Sequence, residues 1–173
     1  MAQLGFYVNT NECTGCKTCQ MACKENHRLP LGAFFRRVLT YESGKFPNPR
    51  VVHFSTACFH CGKPACEAVC PTGAIEKRAE DGLVVVDEDK CIGCHYCFFA
   101  CPFGTPQFGT DGTMQKCDGC IDLLEQGEEP DCVASCLMRC LHFGDLGELS
   151  KQAQQDACQR LAGATMPSVL IPK

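Results

Sequence analysis

Sixteen of the eighteen cysteines fall into four quartets, and no other feature of the chain restricts its fold as tightly. The first quartet is Cys13, Cys16, Cys19 and Cys23, and the second is Cys58, Cys61, Cys66 and Cys70, followed by Pro71. The third is Cys91, Cys94, Cys97 and Cys101, followed by Pro102, and the fourth is Cys117, Cys120, Cys132 and Cys136. A four-iron cubane presents its irons at the corners of a tetrahedron, and a tight C-x2-C-x2-C loop wraps only three of them. The fourth ligand has to arrive from elsewhere, and in two-cluster arrangements the remote cysteine of each run ligates the other cluster. Four quartets therefore predict four [4Fe-4S] clusters, with folding coupled to loading. The chemistry to expect is electron transfer.

Two other uses of so many thiols compete with this reading. Cysteine makes up just over a tenth of the chain, which also suits a secreted disulfide scaffold. The first ten residues, MAQLGFYVNT, lack a basic region, a sustained apolar stretch and a twin-arginine pair, so no export signal is read there. Structural zinc also uses C-x2-C knuckles, but it gives no reason for a third cysteine at the next step and a remote one beyond it. Leu, Ile, Val and Phe supply only about a fifth of the residues, a thin core that metal sites would have to reinforce. A net charge of −4 provides no basic stripe for nucleic acid. The uncharged run from Cys91 to Thr110 holds four cysteines, two prolines and three glycines, so no direct membrane span is expected. Phe98, Phe99 and Phe103 within it are expected to shield a cluster from water.

The chain reads as repeats. Residues 51–104 have the size and content of a whole two-cluster bacterial ferredoxin, with a hairpin between quartets two and three: Ala74 to Arg78, a turn at Ala79 to Gly82, and Leu83 to Val86. Quartets one and four stand at opposite ends. If they also interlock, an inner module is inserted into an outer one. The fold class predicted is α+β, tandem bacterial-ferredoxin-like modules in a pseudo-two-fold relation. Residues 1–50 form the first part of the outer module, 51–104 the inserted module, and 105–173 the second part with a C-terminal helix. Further strands are predicted at Gly5 to Val8, Phe34 to Tyr41 and Arg50 to Phe54, and helices at Thr18 to Glu25, Ile121 to Gln126 and Leu146 to Leu161. The stretch from Cys120 to Cys132, broken by Gly127 and Pro130, reads as a loop for a partner.

Cys13-Thr-Gly-Cys16-Lys-Thr-Cys19, His60-Cys61 with Pro64-Ala-Cys66, Cys70-Pro-Thr-Gly-Ala74, Cys91-Ile-Gly-Cys94 with Tyr96-Cys97, and Lys116-Cys-Asp-Gly-Cys120 together resemble the four-cluster electron-transfer subunit of molybdopterin oxidoreductases. The dimethyl sulfoxide reductase iron–sulfur subunit is the nearest type. The resemblance runs from Gly5 to about Gly147. It implies one cluster on Cys13, Cys16, Cys19 and Cys136 and a second on Cys117, Cys120, Cys132 and Cys23. It implies a third on Cys58, Cys61, Cys66 and Cys101, and a fourth on Cys91, Cys94, Cys97 and Cys70. It further implies a wire whose Cys13 end faces a molybdopterin-containing catalytic subunit and whose Cys91 end faces a redox partner, either a membrane anchor subunit or a soluble carrier. A free-standing soluble polyferredoxin and a non-redox zinc scaffold are the alternatives. Cytoplasmic residence is expected, or membrane association through a partner subunit, with export alongside a twin-arginine partner as a further route.

Several residues lie outside this pattern. Many relatives continue past the point corresponding to Lys173 in a tail that touches a membrane anchor, and quartets one and four lack the proline after their last cysteine. Cys140 is expected as a buried small apolar residue, and Cys158 as a plain thiol on the last helix. His60 and His95 are expected as partly exposed neighbours of the clusters. Arg36, Arg37 and Lys45 are read as a solvated basic face. Gly15, Gly93 and Gly119 are expected to let backbone N–H groups approach cluster sulfur. No catalytic residue is assigned.

Overall fold

The computed structural model describes residues 3–155, 158–160 and 162–172. Strand β1 (Leu4–Val8) runs into the first cysteine loop, and helix α1 (Thr18–Asn26) follows it with Cys19 and Cys23 one turn apart on its buried side. Strands β2 (Arg37–Lys45) and β3 (Asn48–Thr56) form an antiparallel hairpin with unbroken pairing from Arg37↔Thr56 to Lys45↔Asn48. The first of these strands starts at Arg37 rather than Phe34, because Phe35 turns into the main core before the ladder begins.

Short elements carry the middle of the chain. Helix α2 (Ala65–Ala68) precedes the antiparallel pair β4 (Ile75–Lys77) and β5 (Val84–Val86), where the turn signal at residues 79–82 placed a hairpin. Helix α3 (Tyr96–Ala100) follows, then the small pair β6 (Gln107–Phe108) and β7 (Met114–Gln115), which the sequence pattern did not predict. Helices α4 (Ile121–Glu125) and α5 (Asp131–Ala134) flank the turn at Gly127, and β8 (Leu141–Asp145) leads into α6 (Leu146–Gln155). A four-stranded sheet closes the molecule in the order β8-β1-β10-β9, with β9 (Cys158–Arg160) and β10 (Val169–Pro172) at its far side.

The last helix is shorter than the predicted span Leu146 to Leu161. It stops at Gln155, and Cys158 lies on a strand paired with Pro172, so the placement of Cys158 on the last helix is corrected. Pairing with a distant sheet edge overrides local helical preference there. Residues 156, 157 and 161 of the predicted helix lie outside the described residues.

Two strand pairs share a register relative to the cysteines. In β4–β5, Ile75 stands five residues after Cys70 and pairs with Val86, five residues before Cys91. In β8–β1, Leu141 stands five residues after Cys136 and pairs with Val8, five residues before Cys13. A backbone hydrogen bond flanks each pair at the same offset, Asp87 N to Ala74 O and Asn9 N to Cys140 O, both at 2.8 Å. The main core joins Phe6, Val8, Leu29, Phe35, Phe59, Leu141 and Val169 to Cys19, Cys23, Cys58, Cys117 and Cys132. A second core, of Ile75, Val84, Met114 and Cys97, lies beside β4 and β5. Among the described residues no helix is long and apolar enough to cross a membrane.

Candidate metal centres

The sixteen quartet cysteines gather into four groups, each drawing on two separate runs. Cys58, Cys61 and Cys66 line a cavity with Cys101. Cys91, Cys94 and Cys97 line another with Cys70. Cys13, Cys16 and Cys19 line a third with Cys136, and Cys140 joins them. Cys117, Cys120, Cys132 and Cys23 are all buried, and their thiols lie close enough for their charges to act on one another. Every cysteine among the described side chains is free of disulfide.

Local backbone explains how the loops close. The residue before the second cysteine of every run has positive φ: Gly15 at 69°, His60 at 41°, Gly93 at 65° and Gly119 at 81°. In runs one and three the residue after that cysteine is left-handed too, Lys17 and His95 both at φ 63°, and a helix starts immediately beyond. Runs two and four share a different device. Pro64 and Pro130 hold extended backbone, each starts a four-residue helix, and Cys66 and Cys132 sit second in those helices. The long insert before Cys132 therefore still delivers its thiol from the same kind of turn.

The donor sets fit a cubane. Each group offers four thiols, the number that a [4Fe-4S] centre takes. Burial and the neighbouring thiols push Cys23, Cys66 and Cys120 up to about 12, and drive Cys117 and Cys140 upward in the same way. The quartet members among them become thiolates when a metal cation compensates the charge, and loading would release their protons. Hydroxyl and amide groups stand ready on several sulfurs. Thr18 Oγ1 donates to Cys16 Sγ at 3.4 Å, Met114 N donates to Cys91 Sγ at 3.3 Å, and Ser55, Thr72 and Thr105 place hydroxyls 3.4, 3.7 and 3.4 Å from Cys19, Cys70 and Cys101. The Thr18 bond holds the exposed Cys16 thiol below its ordinary value. These hydroxyls were missed in the sequence, although Cys-x-Thr at Cys16 and at Cys70 is a readable sign.

Three expectations need correction. His60 is fully buried rather than partly exposed, because it occupies the glycine-like position of run two and its ring turns inward. Its Nδ1 accepts from Val84 N at 3.0 Å, and burial keeps the imidazole neutral. Arg36 is 1% exposed, so it is no part of a solvated face, whereas Arg37, on the opposite side of the strand start, is exposed. Phe98 and Phe99 face outward, Phe99 at 82% exposure, since Cys97 takes the inward side of the short α3. Phe103 does line the Cys58 cavity and packs edge-on against Phe59 at 4.6 Å, while Met114 and Phe108 cover the Cys91 cavity. His95 is exposed and stacks on Phe108 at 3.7 Å. Cys140 is buried, with its Sγ 3.6 Å from Cys136 Sγ, at the register position that Ala74 holds in the other strand pair.

A family model described as a 4Fe-4S dicluster domain matches residues 49–146. A chain of the anaerobic dimethyl sulfoxide reductase of Escherichia coli strain K12 is 48% identical over 159 residues, covering 87% of this chain and 77% of that one. A sulfite dehydrogenase subunit of Allochromatium vinosum is 42% identical over 168 residues, covering 84% and 70%. The formate dehydrogenase iron-sulfur subunit of Wolinella succinogenes is 36% identical over 190 residues, covering 96% and 94%. With its interlocked thiol sets and mixed α/β, ferredoxin-like architecture, the chain belongs to the 4Fe-4S family of oxidoreductase iron–sulfur subunits, the dimethyl sulfoxide reductase type among them.

Proposed function

We propose that this chain is the electron-transfer subunit of an oxidoreductase complex, relaying single electrons through four [4Fe-4S] clusters between a molybdopterin-containing catalytic subunit and a second redox partner. The observation that carries the reading is the gathering of twelve quartet thiols around three cavities, each lined from two runs, with the other four buried and interacting among themselves. Bound clusters supply one-electron carriers, and the chain supplies ligands, hydrogen bonds to sulfur and an apolar cover. The ligand sets are Cys13, Cys16, Cys19 and Cys136; Cys117, Cys120, Cys132 and Cys23; Cys58, Cys61, Cys66 and Cys101; and Cys91, Cys94, Cys97 and Cys70.

The matching registers of β4–β5 and β8–β1 support a pair of modules in pseudo-two-fold relation, one inserted in the other. The outer module takes residues 1–50 and 105–173, and the inner one 51–104. Hairpin β2–β3 crosses the first junction, so a paired ladder rather than a linker joins the two. The ends of the wire are the Cys13 set toward the catalytic subunit and the Cys91 set toward the other partner. In support, Cys16 and Cys94 are exposed, and exposed apolar residues sit in the same loops: Leu137 and Met138 beside Cys136, and Ile92, Tyr96, Phe98 and Phe99 around Cys94. Such rims suit docking faces, which a self-contained shuttle protein would have less reason to keep apolar.

Anaerobic iron and sulfide analysis with EPR of the reduced protein tests the reading. About sixteen irons per chain with magnetically interacting signals is the expected result. Zinc without iron would end it, and full iron in a protein that purifies with no molybdenum-containing companion would favour the free polyferredoxin. Crossed ligation has its own test. Cys101→Ser should remove the signal that Cys58→Ser removes, and leave the one that Cys91→Ser removes.

A further inference from the structure

A cation lies buried among the thiols of the outer pair. Arg36 is 1% exposed, stacks its guanidinium over the Phe6 ring at 4.3 Å, and donates through Nη1 to Ser55 Oγ at 3.1 Å. Ser55 Oγ in turn lies 3.4 Å from Cys19 Sγ. The guanidinium Nε and Nη2 have no partner, and no carboxylate among the described residues forms an ion pair with it. Its charged neighbours are sulfurs. Burial works against the cation, and the thiols of Cys132, Cys117, Cys19 and Cys23 work for it. Those four thiols come from both outer sets. Lys116, the other buried cation, differs: its ammonium donates to the carbonyls of Val84 and Cys117.

A buried guanidinium with two spare donors and no counter-ion is costly, and a fold retains one when a compensating negative charge is present. Thiolate-ligated clusters supply that charge, and each electron entering either site adds one more negative charge with no proton required. A fixed positive charge in a water-poor interior favours the reduced state and opposes loss of the thiolate-bound metal. We propose that Arg36 is the shared counter-cation of the two outer clusters, raising the reduction potentials of both through its charge and the free N–H groups of Nε and Nη2. Ser55 is a positioning residue that holds the guanidinium and touches Cys19. The hairpin β2–β3, which presents Ser55, then serves as the holder of this charge.

This inference rests on the proposed cluster-relay function. The test is an EPR-monitored redox titration of the whole complex, with signals first assigned by Cys16→Ser and Cys120→Ser for the outer pair and Cys61→Ser and Cys94→Ser for the inner pair. In Arg36→Met both outer midpoints fall by tenfold or more in the reduction equilibrium, about 59 mV for each tenfold, and the inner midpoints stay. Arg36→Lys recovers most of the fall. Unchanged outer midpoints in a fully loaded Arg36→Met protein, or an equal shift of all four, would overturn the proposal. If Arg36→Met fails to load, Arg36→Lys and Arg36→Gln are compared. Higher outer midpoints in the lysine variant support the proposal, and equal midpoints overturn it. Wild-type protein without iron would instead sink the underlying function, which keeps the two failures distinct.

Discussion

At the residue in front of the second cysteine, three runs use glycine and one uses histidine, all at positive φ. At Gly93 an added Cβ would stand 2.6 Å from the backbone oxygen of Gly112, so Gly93→Ala combines left-handed strain with a clash that no side chain can relieve. Its expected result is loss of about a quarter of the iron, read by iron analysis, with the other three signals intact in EPR. His60 illustrates the converse. His60→Gly relieves the backbone, yet strands the N–H of Val84 and empties a buried site, for a net loss of about 2 to 4 kcal/mol in anaerobic urea unfolding with iron content retained. Cys140→Ala changes neither iron count nor EPR spectrum, because Ala74 holds the equivalent position. The cysteine quartets and the glycine turns inside them were legible as local spacing. The fates of His60 and Arg36 were not, because both depend on what covers them: Phe6 and Ser55 reach Arg36 from distant parts of the chain, and nothing in Phe34-Phe35-Arg36-Arg37 distinguishes the two arginines.

Among the elements, hairpin β2–β3 has two functions along its length. Its base pairs Val38 with Ser55 and buries both, while residues 41–50 are exposed on both strands. Thr40 pairs with His53, so replacing residues 41–52 by Asn-Gly gives a two-residue hairpin at an existing pair. That variant should keep its full iron content and the EPR midpoints of all clusters, since the base and Arg36 are untouched. Strand signals rich in β-branched residues made β1, β5 and parts of β2 and β3 readable. The C-terminal strands escaped because their pairing is set by sheet neighbours far away: β10 lies parallel to β1, and β9 exists only as the partner of β10. Helices α2, α3 and α5, of four or five residues, are too short for a periodic pattern and are imposed by the cysteine loops themselves.

For the whole molecule, cysteines contribute to the interior in place of larger apolar side chains, and many thiols face one another across the sites. On the proposed ligand sets, removing iron would leave groups of buried thiols with nothing between them and the long loops without their metal bonds. Anaerobic chelation should therefore lower far-UV CD and protease resistance together, with both recovered on reconstitution with iron and sulfide. A retained CD spectrum in the iron-free chain would show that packing alone carries the fold. The hairpin between quartets two and three was legible from its turn signal and β-branched run; the equal registers of β4–β5 and β8–β1 were not, because they appear only once strands are paired.

Those paired strands also set a timetable for synthesis. The inner ladder and the eight thiols of quartets two and three have left the ribosome once Cys101 is out, whereas β1, made before them, waits for β8, which follows Cys132 and Cys136. On the proposed ligand sets, the nascent chain would hold Cys13 to Cys23 without their partner thiols until Cys132 and Cys136 emerge. With the ligand sets proposed above, iron limitation should therefore favour a half-filled species that carries the inner pair, leaving the sites beside Arg36 to be filled last.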